Sequence, residues 1–113
     1  MSFTAQIPYG AYWSTPFAKW QGTLSHLHSI KFGAHVAKAE LAKRDISPEV
    51  FDYATLGLTV PQHQSFHGLP WFTGLIGAPD VGGPTISQVC ATGVRCMLDA
   101  TQSVEAEMSD VAL

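Results

Sequence analysis

Charge is scarce in this sequence. Only 13% of its 113 residues are Asp, Glu, Lys or Arg, about half the ~25% common in soluble domains. A surface so weakly charged is expected to be covered by a partner, a second copy, or more of the same fold. Positive charge is not in excess either: six basic residues against nine acidic ones leave a net charge of −3. That removes the electrostatic case for nucleic-acid binding. Long apolar runs are missing, and none approaches the ~18 residues of a membrane span. The first residues lack the basic-then-apolar pattern of a secretory leader. The expectation is a cytoplasmic protein with no membrane partner. Cysteine is limited to Cys90 and Cys96. Six apart on a helix, the two point to different faces, which argues against a local disulfide and fits a reducing compartment. Nucleotide-cradling glycine signatures are absent too, since Gly82-Gly83-Pro84 has neither dinucleotide nor Walker spacing.

What is present is alternation. The first twenty residues are aromatic and irregular, with Tyr9, Tyr12, Trp13, Phe17 and Trp20 interrupted by Pro8 and Pro16. A short strand is expected there, at 4–7 or 11–13. Leu27, Ile30, Ala34, Ala37 and Leu41 recur at helical spacing and predict a helix over 27–44, ending in Lys43 and Arg44. Ser47-Pro48-Glu49 reads as an N-cap followed by proline in a short turn. Residues 51–60 read as a mostly buried strand ended by Pro61. A short helix over 69–76, a turn at 79–84 and a strand over 85–89 follow. The second long helix is expected over 91–108, with Val94, Met97, Leu98, Thr101, Val104 and Met108 as its apolar stripe. Residues 111–113 begin like another strand.

This order is β-α-β-α-β-α. It implies an α/β layer with a largely parallel sheet and flanking helices. The length suits one domain. A parallel sheet needs both faces covered. Residues 1–113 are therefore expected to be an incomplete folding unit, molten or insoluble alone.

Cys90 lies where the strand pattern gives way to the helix pattern. A thiol at a helix N-terminus is favoured as thiolate, and the thiolate is the nucleophile. The alternative is a core cysteine, because free cysteine is among the most buried residue types. Position alone leaves both readings standing.

Gln88-Val89-Cys90-Ala91-Thr92-Gly93 resembles the nucleophilic-cysteine motif of thiolases, the acetyl-CoA acetyltransferases and 3-ketoacyl-CoA thiolases. Ser14-Thr15-Pro16, followed by a spacer and Gly22, resembles the family's N-terminal segment. The helix at 27–44, Ser47-Pro48-Glu49, Leu56-Gly57 and the helix after Cys90 fall in the family's order. The resemblance implies the N-terminal part of a thiolase-like fold, incomplete without the remaining half. It implies an acyl-thioester formed on Cys90, in Claisen condensation or in thiolytic cleavage of a 3-ketoacyl-CoA. Coenzyme A thioester would be the substrate, with no cofactor bound. The second cysteine and the histidines of the family lie in its C-terminal half, which would come from a separate chain or a continuation. A thiolase-type dimer or tetramer is implied.

Two departures mark a divergent branch. Ser14 stands where the family usually has arginine. Residues 59–71 replace a stretch that in the family lies near the dimer interface and active site. Branches of this kind include a benzoylsuccinyl-CoA type and archaeal thiolases that work with a zinc-bearing OB-fold partner. Two other readings remain: a non-catalytic thiolase-like scaffold with a vestigial Cys90, and a β-ketoacyl synthase-type condensing enzyme.

Other chemistry-bearing residues read as structural. Cys96 is a small core or interface residue. His63 and His67 are four apart, but Pro61 and Gly68 flank them, so they read as loop residues rather than metal ligands. His26 and His28 belong to a helix-entry loop, and His35 to a polar helix face. Trp13, Trp20, Trp71 and Phe72 read as core or interface anchors.

Overall fold

The computed structural model describes residues 2–113. Two helices form where the periodicity predicts them. Helix α1 is Ser29–Lys43, and it buries Ile30, Ala34, Ala37 and Leu41, the stripe read from the sequence. Its N-cap is His28, whose ring accepts from the Ile30 N–H, and Arg44 is its C-cap. Ser47 caps a 3₁₀ turn at Pro48–Val50 by accepting from the Glu49 N–H.

Strand β1 is Leu56–Gly57, α2 is Gly68–Ile76, and β2 is Thr85–Ile86. Strands β1 and β2 pair in parallel, with Leu56 opposite Thr85 and Gly57 opposite Ile86. Parallel neighbours need a crossover, and α2 supplies it. Residues 111–113 add a third parallel segment on the other side of the β1 chain. There Tyr53 bridges Ala112, the Asp52 and Thr55 N–H groups donate to Val111 and Leu113 carbonyls, and the Leu113 N–H donates to Tyr53. The Asp52 carboxylate also accepts from the Asp110 and Val111 N–H groups, and these bonds hold its carboxyl below the usual range. The final helix, α3, is Thr92–Glu105.

Strand side chains alternate faces, and this sorts the helices. Leu56 packs with the core of Ala34, Ala37, Leu41, Ala54, Leu69 and Ile76, on the side of α1 and α2. Gly57 faces the other way, against Thr92 and Cys96 of α3.

Three expectations are corrected. No strand forms in the N-terminal segment among the described residues. Its carbonyls are taken by a side chain instead: Arg44 Nε donates to the Gly10 carbonyl at 2.7 Å and Nη2 to that of Tyr12 at 3.0 Å. Earlier in the segment, the Thr4 and Ala5 N–H groups donate to the Glu105 carboxylate. The strands at 51–60 and 85–89 are also shorter than their apolar patterns, because the ladder ends at Gly57 and Ile86. The helix expected over 91–108 ends at Glu105, which leaves Met108 outside it. Val94 and Met97 are 72% and 58% exposed, and the buried residues of α3 are Thr92 and Ser103.

Arg44 also lies over the Trp13 ring, 5.2 Å from its centroid. Arg44→Ala is therefore expected to free the N-terminal arm, seen as cleavage within residues 2–20 that is several-fold faster under limited proteolysis. Arg44→Lys should not restore protection, because an ammonium lacks the planar fork that spans two carbonyls.

A second tie joins the sheet to α3. The Tyr53 hydroxyl donates to Asp99 Oδ2 at 2.6 Å. Burial first, and then the Asp99 carboxylate, push the phenol up to about 12. A pKa raised in the folded state gives stability that is whole below the ordinary ~10 and lost as pH climbs through the folded value. Urea midpoints should thus fall between about pH 10 and 12 in the parent protein. Tyr53→Phe should flatten that part of the decline.

Candidate functional site

Cys90 stands on a 3₁₀ turn, Val89–Ala91, between β2 and α3. The chain leaves the sheet after Ile86 and tightens, with the Ala91 N–H donating to the Gln88 carbonyl at 3.0 Å. Cys90 is exposed. Among the described residues it is not part of the hydrophobic core.

The residue before it is unusual. Val89 adopts φ +49°, the left-handed region that β-branched residues avoid. It is also 69% exposed. Such a conformation costs about 1–3 kcal/mol and persists only when the surroundings over-determine it. The surroundings here are Thr92, which is 4% exposed. Its hydroxyl accepts from the Gln88 N–H at 2.8 Å and donates to the Val89 carbonyl at 2.7 Å. The Thr92 methyl lies against the sheet: a Cβ added to Gly57 would fall 2.7 Å from Thr92 Cγ2 and 2.9 Å from Cys96 Sγ. Glycine at 57 lets the start of α3 approach the strand that closely.

The first turn of α3 has no acidic residue, and its N-cap, Ala91, supplies no side-chain bond. The positive end of the helix is left without a compensating charge in its first turn. Ala91 and Gly93 are exposed beside Cys90. Cys96 differs: it is half-buried, and burial pushes its thiol up. The two thiols do not share a helix, since Cys90 lies on the turn and Cys96 within α3.

The histidines gather elsewhere. His28 caps α1 through Nδ1, and its Nε2 donates to the His63 carbonyl at 2.8 Å. Its ring meets those of His63 and Trp71 edge-on. Gln62 accepts from the Ser29 N–H. The loop that departs from the family pattern is therefore pinned to the start of α1. His67 packs against Phe66. His26, His28 and His35 line a shallow groove with Lys31 and Phe32. The contacts of His28, His63 and His67 are with these groups and not with Cys90. Ser14, at the other departure, donates to the Thr15 carbonyl.

The sequence reading missed the roles of Thr92 and Gly57. Thr92 carried a signal, since it lies two residues after the thiol inside the motif. Nothing in a valine announces a positive φ.

Comparison with known proteins places this geometry. Residues 11–113 match the model of the thiolase N-terminal domain. The chain is 31% identical over 101 residues to acetyl-CoA acetyltransferases IA and IB of Candida tropicalis. It is 30% identical to the acetyl-CoA acetyltransferase of Candida albicans. Each alignment covers 88% of this chain and 25% of the relative. The fold is similar to that of human mitochondrial 3-ketoacyl-CoA thiolase, with a TM-score of 0.77 and 24% identity over 87% of this chain and 25% of that one. The same enzyme in complex with CoA gives a TM-score of 0.70. The chain spans about a quarter of the length of the relatives it matches.

Proposed function

The chain belongs to the thiolase family through its N-terminal domain, and on that premise we propose that Cys90 is the nucleophile of an acyl-CoA acyltransferase. The observation that carries this is the exposed Cys90 turn, set ahead of α3 within Cys-Ala-Thr-Gly. The thiolate attacks the thioester carbonyl of an acyl-CoA. A bond forms between Sγ and the carbonyl carbon, and the electron pair moves to oxygen. The Cys90 N–H is the nearest candidate donor to that oxyanion. Collapse expels the CoA thiolate, which takes up a proton, and leaves the acyl group on Cys90. In condensation an enolate then accepts the acyl group. In thiolysis Cys90 instead attacks the 3-keto carbon of a 3-ketoacyl-CoA, and the bond between carbons 2 and 3 breaks. The acetyl-CoA carbanion takes up a proton, and CoA accepts the acyl group left on Cys90.

The acid and base for these steps come from the part of the thiolase fold outside this chain. The uncovered Val94 and Met97 on α3 support that reading, because an apolar helix face of this kind asks for cover. The sparse charge supports a thiolase-type oligomer, and two free thiols support a cytoplasmic setting.

Competitive labelling tests the proposal. In the protein with its thiolase fold complete, iodoacetamide should modify Cys90 faster than Cys96, and acyl-CoA should protect Cys90. Equal rates without protection would remove Cys90 from the chemistry.

A further inference from the structure

We infer that the Thr92 hydroxyl is the positioning residue that holds Cys90 in its reactive orientation, a role that rests on the nucleophile reading above. The argument begins with strain. Val89 at φ +49° would relax to the β region if nothing held it. Its side chain does not hold it, being mostly in solvent. The turn is fixed through its backbone, and Thr92 supplies the fixing groups. One hydroxyl satisfies the Gln88 N–H before the strained residue and the Val89 carbonyl after it. The Thr92 N–H donates to that same carbonyl. The peptide that follows Val89 and the one that precedes Gln88 are thus both tied to one residue of α3, and the peptide between them is closed by the Ala91 N–H on the Gln88 carbonyl. The peptide after Val89 carries the Cys90 N–H, so the same tie sets where that donor and the Cys90 side chain point.

Thr92 itself is held from behind. Its methyl is wedged against Gly57 of β1, and the residue is buried. The sheet therefore fixes Thr92, and Thr92 fixes the turn. The hydroxyl and the methyl have separate duties, which makes the inference separable by substitution. Thr92→Val keeps the shape and removes the hydroxyl. Thr92→Ser keeps the hydroxyl and removes the methyl.

The expected outcome is a crossed pattern. In the protein with its thiolase fold complete, acetyl-CoA is mixed with each variant, and acetylation of Cys90 is followed by peptide mass spectrometry. Thr92→Val should slow acetylation by about 10²-fold, the scale of misplacing a reacting group by roughly 1 Å. Thr92→Ser should acetylate at close to the parental rate while melting at a lower temperature than the parent. Val89→Gly gives a further check, because glycine takes a positive φ without strain. With glycine at 89, the loss caused by Thr92→Val should shrink several-fold. Parental acetylation in Thr92→Val, or Ser as slow as Val, would overturn the positioning role while leaving the nucleophile reading intact. A parent that never acetylates at Cys90 would overturn both.

Discussion

Cys90→Ser is expected to lower acyl transfer by on the order of 10⁴-fold or more, with the fold unchanged. The chemistry asks for an anion at neutral pH. A helix N-terminus can favour a thiolate, but it cannot bring an alcohol of far higher pKa into the same range. Among the described residues the histidine contacts lie around α1 and its neighbouring loop, and a base supplied from the rest of the fold still has to deprotonate a far weaker acid in serine than in cysteine. Cys90 is exposed, so the exchange should alter stability by no more than about 0.5 kcal/mol. Turnover and thermal unfolding measured on the same preparation separate the two effects. A folded serine variant with parental turnover would leave Cys90 a bystander.

Gly83→Ala should have the opposite signature, loss of the fold itself. Gly83 has φ +155°, and a Cβ there would lie 1.7 Å from the Ala54 carbonyl oxygen. That oxygen is backbone, on a residue with no exposed surface, so no flexible side chain can swing aside. The neighbouring bonds, Ala54 N–H to Gly82 and Leu56 N–H to Pro84, set the register of β1 against the chain entering β2. Pushing the two apart would break that register and open the core around Leu69. The expected cost exceeds about 4 kcal/mol, a large share of the roughly 5–15 kcal/mol typical of native domains. Gly74 is the control. It lies within α2 with nothing within 4 Å of an added Cβ, so Gly74→Ala should stabilise by about 0.5–1 kcal/mol. Chemical denaturation of both variants checks the contrast.

Helix α1 was legible because its stripe, Ile30, Ala34, Ala37 and Leu41, is the part of the sequence whose pattern and burial agree. The parallel pairing of β1 and β2 followed from the helix between them. Strand ends were not legible. The apolar pattern through Val60 and Val89 continues past the ladder, and both residues are exposed. Alternation reports which residues are apolar, and cannot report where a neighbouring strand stops donating. The expected N-terminal strand failed for a different reason. Its competitors were distant side chains: the Arg44 guanidinium takes the Gly10 and Tyr12 carbonyls, and the Glu105 carboxylate takes the Thr4 and Ala5 N–H groups. At the site, the motif singled out Cys90. The valine conformation and the Thr92 bonds emerge only when the turn is built. The α3 stripe was legible as apolar, and its exposed Val94 and Met97 agree with the expectation of apolar surface left open. The end of the helix was not legible, since it stops at Glu105 and leaves Met108 outside.

Cys90 as acyl acceptor is the central claim, and trapping the intermediate tests it most directly. The complete protein is mixed with acetyl-CoA, quenched in acid and digested, and the peptides are weighed. The account predicts one acetyl group on the Cys90 peptide, lost on treatment with neutral hydroxylamine as a thioester should be, and none on Cys96. Acetylation of Cys96 in preference to Cys90, or no acetyl group on Cys90 in a preparation that turns over, would contradict it.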